Sequence, residues 1–185
     1  PMAVSAEPGQ TILFHTRDAR DALGTSVQQT LEPERFSSDF GRVHPITGPV
    51  DISGASAGDV LKVTSLRIEP QALAEVGGKV SLPLTDYADP EALCGPGGAA
   101  AEACLRTIPP REHGGNMDIR YLQAGVSVYL PCFIDGCGLA IGDLHYAQGD
   151  GEVSGTAIEM SADVWVTTEL LNEGPDLSRG PHYEG

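Results

Sequence analysis

Glycine and proline recur so often along this chain that long helices have little room. The 185 residues include 23 glycines and 14 prolines, and both residue types interrupt helices. The segments between them are short and rich in β-branched or apolar residues, which is typical of strands. Strands are predicted at residues 11–16, 60–68, 127–130, 139–141, 153–158 and 164–169. The pattern predicts a mostly β fold, a sandwich or barrel of short strands with Gly- and Pro-rich loops and little helix.

Length and composition indicate one domain that spans residues 1–185. Hydrophobic residues make up 41% of the chain and charged residues 20%, as in ordinary globular proteins with a single core. Residues 99–105 could form one or two helical turns. Residues 86–101, which include the sequence CGPGG, are predicted to be a flexible loop, and residues 172–185 an exposed tail.

The net charge of the chain limits the classes of partner that it is expected to bind. With 26 acidic and 11 basic residues, the net charge is -15, which opposes binding to nucleic acid or to anionic membrane surfaces. The sequence contains no apolar run of about eighteen residues, and its first ten residues lack the charged and apolar regions of a signal peptide. We therefore expect a cytoplasmic protein that binds a small neutral substrate and neither nucleic acid nor membrane.

The four cysteines are expected to be free thiols. Their spacing matches neither a compact disulfide framework nor a paired CxxC zinc motif; they are Cys94, Cys104, Cys132 and Cys137. The last two flank a Phe-Ile-Asp-Gly turn, so a thiol nucleophile is conceivable there. Such a nucleophile needs a base and an orienting group, and the local sequence supplies neither. Buried or strand-end thiols are the expectation.

Polar chemistry is concentrated in residues 113–159. This run contains HGGNMD, GDLH, QGDGE and GTAIE, and these four motifs hold two histidines and five carboxylates among many glycines. Glycines beside Asp, Glu and His allow tight turns and leave space near a small ligand. Asp143 and His145 are two residues apart, so on a strand they face the same side, as two ligands of one metal ion would. The run predicts a polar site.

These motifs resemble a known family. The segment IPPREHGGNMDIR, followed by GLAIGDLHYAQGDGEVSGTAIEM, resembles the central signature of the acetamidase/formamidase family, and GDLHYAQGDGE is closer to its formamidase branch. Residues 9–19 (GQTILFHTRDA) resemble the family's early strand. Residues 44–63 (HPITGPVDISGASAGDVLKV) resemble its Asn-Pro-Val-Thr-Gly-Pro motif and the turn that follows. The resemblance implies a mostly β fold and hydrolysis of formamide, or a similar short aliphatic amide, to carboxylate and ammonia.

A divalent metal ion is predicted at this site, zinc in the first place and calcium as the alternative. Carboxylate oxygens together with one or two imidazoles suit such an ion, and the predicted ligands are Asp118, Asp143, His145 and His113. Each has a simpler interpretation. Asp143 and His145 could be a hydrogen-bonded pair, Asp118 could cap a local turn, and His113 could be a turn residue before two glycines.

The predicted catalytic residues are Glu152 and Asn116. Glu152 would act as the general base that removes a proton from the attacking water, and the metal or Asn116 would stabilise the oxyanion. Gln148 and Glu159 are predicted to bind substrate. Either glutamate could instead be a surface carboxylate, and Asp150 is expected to close the turn between Gly149 and Gly151.

The sequence gives weaker grounds for assigning the remaining histidines to the site. His44 opens the HPITGP stretch, where many relatives in the family have asparagine, so a packing or turn role is expected. His15 lies on a predicted strand and His182 in the predicted tail. Neither is assigned a role in the site.

Two alternatives to this function remain open. One is a metal-dependent hydrolase of another small amide or a cyclic imide. The other is a non-catalytic or incomplete family member that acts as a subunit or a small-ligand-binding module, because family members usually carry a Trp-His-Pro segment and a second half that this sequence lacks. A homo-oligomer is expected in either case, since short β-rich chains often cover their strand edges by pairing subunits.

Overall fold

Short strands make up most of the chain in the computed structural model, which describes residues 2, 4–19, 44–71, 107, 110–153, 155 and 157–185. In chain order the elements are β1 (Val4–Ala6), β2 (Thr11–His15), β3 (Ile46–Ile52), β4 (Val60–Pro70), β5 (Ser127–Pro131), β6 (Leu139–Gly142), β7 (Leu144–Ala147), a 3-10 turn (Asp150–Glu152), β8 (Ile158–Met160), β9 (Ala162–Leu171) and β10 (His182–Glu184). Among these residues, no helix has the length and apolarity needed to cross a membrane.

The strands form three sheets. A five-stranded antiparallel sheet has the order β10-β5-β4-β9-β2, a three-stranded sheet has the order β1-β3-β6, and β7 pairs with β8 alone. The long β4–β9 pair, from Val60 opposite Leu171 to Pro70 opposite Ala162, forms the centre of the largest sheet. In the three-stranded sheet, β1 lies parallel to β3, and β6 is antiparallel to it.

One hydrophobic core joins the two larger sheets. Alternate residues of β9 are buried, including Val164 and Val166, and the intervening residues are more exposed. They pack in one cluster with Phe14 of β2 and with Ile52 and Leu139 of the three-stranded sheet. Each large apolar side chain that is fully buried contributes roughly 1.5–3 kcal/mol. The core therefore holds the two sheets face to face.

Strand pairing also brings distant segments to one place. The first residue of β3 pairs with the last residue of β6, Ile46 opposite Gly142. His44, just before β3, and Asp143, just after β6, therefore lie at the same end of this strand pair. Across the small sheet, His145 of β7 lies opposite Glu159 of β8.

The predicted mostly β architecture is confirmed, and within the described residues its sheets are open, so the barrel alternative is not realised. One predicted strand, at residues 153–158, is wrong. Gly151, Glu152 and Gly155 have positive φ angles, and Val153 is 94% exposed. The described residues before Ile158 are therefore not in a strand, which begins only at Ile158.

Further details differ from expectation. Strands β1, β3, β7 and β10 were not predicted, and β10 pairs with β5, so part of the expected tail at 172–185 is a sheet edge. The predicted helical segment at 99–105 and the predicted loop at 86–101 lie outside the described residues.

The expectation of free thiols is wrong for two cysteines. Cys132 and Cys137 are joined by a disulfide whose Cα atoms are 4.6 Å apart, a distance within the range of such bonds. The turn between them explains the pairing, because the amide of Cys137 donates to the carbonyl of Ile134 and folds the chain back. Cys94 and Cys104 lie outside the described residues.

Gly142→Ala is expected to destabilise the fold at the β3–β6 junction. A Cβ on Gly142 would lie 2.5 Å from the Pro45 carbonyl oxygen and 3.1 Å from the Ile46 Cα, both backbone atoms. Relieving such a clash requires β3 to shift, and overpacking of this kind costs about 1–3 kcal/mol. Urea denaturation should show this decrease in the free energy of unfolding.

Gly149→Ala is the matched control for that experiment. Its Cβ would meet no atom within 4 Å, and its φ of -74° suits alanine. We expect a change within about 0.5 kcal/mol, as for ordinary surface substitutions. Equal effects of the two substitutions would contradict the close approach of β3 and β6.

Candidate metal centre

Three side chains from three neighbouring segments converge on one point. Asp143, His145 and Glu159 each offer one ligand atom, and these atoms lie within 4.8 Å of one another. His145 Nε2 is 3.5 Å from Asp143 Oδ1 and 2.9 Å from Glu159 Oε2. The three side chains are 17%, 9% and 15% exposed, in the order named. We refer to Asp143, His145 and Glu159 as the triad.

The triad has the properties of a cation site. Asp143 Oδ1 and His145 Nε2 are shielded from solvent, yet neither makes a well-directed hydrogen bond within the described part of the chain. Buried polar atoms are normally hydrogen-bonded, so ligand atoms that converge under burial without well-directed hydrogen bonds suit the binding of a positive ion. Two carboxylate oxygens and one imidazole nitrogen form a donor set that suits zinc or a similar divalent ion.

The second ring nitrogen of His145, Nδ1, contacts Gln148. His145 Nδ1 lies 2.7 Å from the amide oxygen of Gln148, three residues along the chain. The amide nitrogen of Gln148 is shielded from solvent and has no hydrogen-bond partner among the described residues. Gln148, predicted to bind substrate, therefore contacts a member of the triad directly.

Glu152 lies beside the triad in a largely buried position. Its Oε1 is 3.9 Å from His145 Nε2, and its side chain is 10% exposed. Burial raises the pKa of Glu152 to about 7, helped by the negative charges of Asp118, Glu159 and Asp143 and opposed by His145. A general base works best when its pKa is near the working pH, so this environment suits the base predicted from the sequence.

In the ion-free protein, His145 forms ion pairs with Asp143 and Glu159. Burial by itself lowers the pKa of His145, but its contacts with Asp143, Glu159 and Gln148 outweigh burial and raise that pKa to about 11. Burial likewise opposes ionisation of Glu159, whereas the contact with His145 lowers its pKa. A divalent cation must therefore displace the proton on His145, which makes its binding depend on pH.

The backbone at the site is unusual. Positive φ angles are uncommon outside glycine and cost about 1–3 kcal/mol when the surrounding structure imposes them. Five such residues lie in the segments that form or flank the site, with φ angles between 41° and 59°: His44, Asn116, Asp118, Asp143 and Glu152. Strain of this kind is concentrated at functional sites, so it supports a functional role for these loops.

The other predicted site residues lie outside the triad. Asp118 approaches Glu152 closely enough for its charge to raise the pKa of that group, and its carbonyl accepts from the amide of Gly151. The His113 ring is folded against Gly115, and its buried Nε2 has no hydrogen-bond partner among the described residues. The ligand atoms of Asp118 and His113 are not among those that lie within 4.8 Å of one another. Their roles as ligands, and that of Asn116 in oxyanion stabilisation, stay predictions.

The contacts of His44 and Glu159 at the site differ from the roles that were predicted for them from the sequence. His44, expected to pack or to form a turn, brings its Nδ1 to 3.5 Å from Asp143 Oδ2. Glu159, expected to bind substrate, offers a ligand atom to the triad. The HPITGP stretch drew attention to His44 in the sequence, but the position of His44 at the site depends on the β3–β6 pairing.

Comparison with known proteins gives a consistent result. The model of the family described as "Acetamidase/Formamidase family" matches residues 1–82 and 69–181. Over 77 residues the chain is 48% identical to a formamidase of Methylophilus methylotrophus, and over another 77-residue alignment 43% identical to an acetamidase of Mycolicibacterium smegmatis. Each alignment covers 41% of this chain and 19% of the relative, so the chain matches about a fifth of the length of these curated relatives.

Solved structures share the fold over a much larger part of the chain. A gamma lactamase from Delftia acidovorans superposes with a TM-score of 0.75 and 26% identity, covering 100% of this chain and 65% of that one. An acetamidase from Bacillus halodurans superposes with a TM-score of 0.66 and 28% identity, covering 94% of this chain and 66% of that one.

Glu152→Gln is expected to stabilise the ion-free protein more at high pH than at low pH. Because the folded-state pKa of about 7 exceeds the ordinary value of 4.5, the folded state retains a proton that the unfolded state releases. The parent therefore loses stability as the pH rises from about 4.5 to about 7, and the glutamine variant lacks this loss. Thermal melts in chelator between pH 4 and pH 8 should show the difference in Tm widening across that window.

Glu173→Gln is the matched control for these melts, because Glu173 is exposed in the segment after β9. Its difference in Tm from the parent should stay constant with pH. A constant difference for Glu152→Gln as well would contradict the raised pKa of Glu152.

Proposed function

Because this chain belongs to the acetamidase/formamidase family, we propose that it hydrolyses the C–N bond of a small amide, with formamide as the preferred substrate. The observation that carries this proposal is the convergence of the triad's ligand atoms with Glu152 beside them, 3.9 Å from His145. Formamide is favoured because GDLHYAQGDGE resembles the formamidase branch and because a relative that is 48% identical over 77 residues is a formamidase.

Asp143, His145 and Glu159 would hold a divalent ion, which we propose is zinc. The imidazole nitrogen in the donor set favours zinc, since calcium sites are built from oxygen ligands. When bound, such an ion polarises an amide carbonyl and makes a nearby water more acidic. Asp118 and His113 remain proposed additional ligands.

Glu152 is proposed to carry out the proton transfers. Its carboxylate takes a proton from the water as the water oxygen attacks the amide carbon. The same carboxyl group then returns the proton to the amide nitrogen, the C–N bond breaks, and ammonia leaves the carboxylic acid product. Asn116 is proposed to donate to the oxyanion while the carbon is tetrahedral, and the free N–H groups of Gln148 are proposed to bind the substrate.

The charge of the site favours a neutral substrate. The charges of Asp118, Asp143 and Glu159 all act on Glu152, so four carboxyl groups lie in this region. One divalent ion does not balance their negative charge, so an amide that carries its own carboxylate would be repelled. Formamide and acetamide carry no charge and avoid this cost.

Two other candidate functions remain. The Delftia acidovorans protein with the same fold is a gamma lactamase, so a cyclic amide is the second substrate candidate. The other candidate is a non-catalytic family member that acts as a subunit or a binding module. Substrate profiling separates the first candidate from formamide hydrolysis, and the absence of any turnover would favour the second.

Formamide hydrolysis is expected to require both the ion and Glu152. Chelator should abolish ammonia release from formamide and added zinc should restore it, because the triad would hold the ion that activates water. Glu152→Gln should lower kcat by about 10²–10⁴-fold, the range supplied by a general base, while zinc still binds. The measurement is ammonia release under initial-rate conditions.

Glu173→Gln serves as the control for kcat, since this exposed glutamate lies outside the site. A folded, zinc-loaded protein that releases no ammonia from formamide, acetamide or a lactam would overturn the proposed activity. Full activity of Glu152→Gln would overturn the assignment of the base.

We propose that the protein forms a homo-oligomer and is located in the cytoplasm. Within the described part of the chain, β2 and β10 are the edge strands of the five-stranded sheet, and edge strands of this kind are often covered by subunit contacts. Sedimentation equilibrium should give a mass above that of one chain. A monomer at all accessible concentrations would contradict the oligomer.

A further inference from the structure

The two ring nitrogens of His145 face different partners. Nε2 faces the triad, 2.9 Å from Glu159 Oε2 and 3.5 Å from Asp143 Oδ1. Nδ1 faces away from it and lies 2.7 Å from Gln148 Oε1. A neutral imidazole has one N–H and one nitrogen with a free lone pair. Only the tautomer with its proton on Nδ1 presents a lone pair toward the triad.

We infer that Gln148 is a positioning residue, which holds His145 in the tautomer and orientation that allow Nε2 to bind a cation. This inference rests on the proposed function only in taking a divalent ion to bind at the triad. The amide oxygen of Gln148 carries lone pairs and no hydrogen, so it accepts from Nδ1–H. Partners of this kind fix the ring orientation of histidine ligands.

The reversed amide would have the opposite effect. If the Gln148 NH₂ group faced Nδ1, the ring proton would sit on Nε2 and point toward Asp143 and Glu159. A hydrogen there occupies the place where a cation binds. The side-chain orientation of Gln148 therefore decides whether His145 acts as a ligand or as a hydrogen-bond donor.

A neutral amide is suited to this task because of the charges around it. The charges of three carboxylates already act on Glu152 at the site, and glutamine orients the ring without adding another. The planar amide group of Gln148 also connects two functions. Its oxygen is held by His145, so the same hydrogen bond fixes the direction of its shielded N–H groups, which have no partner among the described residues. Those N–H groups are then preorganised to donate to a ligand in the site.

The test measures zinc affinity in Gln148→Met, which keeps the length of the side chain and removes the amide oxygen. Competition with a chromophoric chelator should show an affinity about 10–100-fold weaker than that of the parent, the usual effect of losing a partner of a histidine ligand. Gln148→Glu restores an acceptor for Nδ1–H and should bind zinc at least as tightly as the parent. Gln123→Met, at an exposed position, is the matched control and should leave the affinity unchanged.

A spectroscopic measurement checks the tautomer directly. Long-range ¹H–¹⁵N correlation spectra of the zinc-loaded parent should show the proton of His145 on Nδ1. In Gln148→Met that proton should lose its protection from exchange with solvent, and in Gln148→Glu it should keep it. A proton on Nε2 in the parent would overturn the inference, as would equal zinc affinities for Gln148→Met and Gln123→Met.

These outcomes are independent of amide hydrolysis. Weaker zinc binding in Gln148→Met, in a protein that releases no ammonia, would support the positioning role while refuting the proposed activity. Equal zinc affinity of that variant, in a parent that hydrolyses formamide, would refute the positioning role alone. A folded parent that binds no zinc would overturn this inference together with the proposed metal dependence.

Discussion

The register between β7 and β8 is the constraint on which the candidate site depends. It places His145 directly opposite Glu159, so that two ligand atoms from segments fourteen residues apart meet on one face. Because successive side chains of a strand point to opposite faces, a shift of one residue would turn one partner away. Asp143 joins them from the end of β6, where the close approach of Gly142 to the backbone of β3 leaves no room for a side chain.

Packing and electrostatics have opposite requirements in this region. The core joins the two larger sheets through apolar side chains, whereas the site beside it brings several carboxylates together under partial burial. Burial raises the pKa of Glu152, and repulsion from the neighbouring carboxylates raises it further. The charge on His145 offsets part of this repulsion in the ion-free protein. A divalent cation would offset more of it, so stability and ion binding are coupled.

Much of the fold could be predicted because it depends on local patterns. Richness in β-branched and apolar residues predicted most of β4 and β9, and both strands are confirmed. The strand prediction at 153–158 is wrong for a local reason as well, since Gly151 and Glu152 adopt left-handed conformations that end extended structure. The short strands β1 and β10 escaped prediction because three residues carry too little periodicity. Their strand conformation comes from pairing with β3 and β5.

The sequence by itself determined the mostly β class and the polar run at 113–159, because both follow from the types of residue along the chain. It also named Asp143 and His145 as neighbours in the site, although Asp143 precedes β7 with a φ of 57° and the two residues do not share a strand. Only the tertiary structure decided that Glu159 joins those two residues, that His44 approaches Asp143, that Gln148 holds the far side of the imidazole and that Cys132 bonds to Cys137. Those contacts depend on strand register, turn geometry and side-chain direction. Such features arise when the whole chain packs, and no local pattern specifies them.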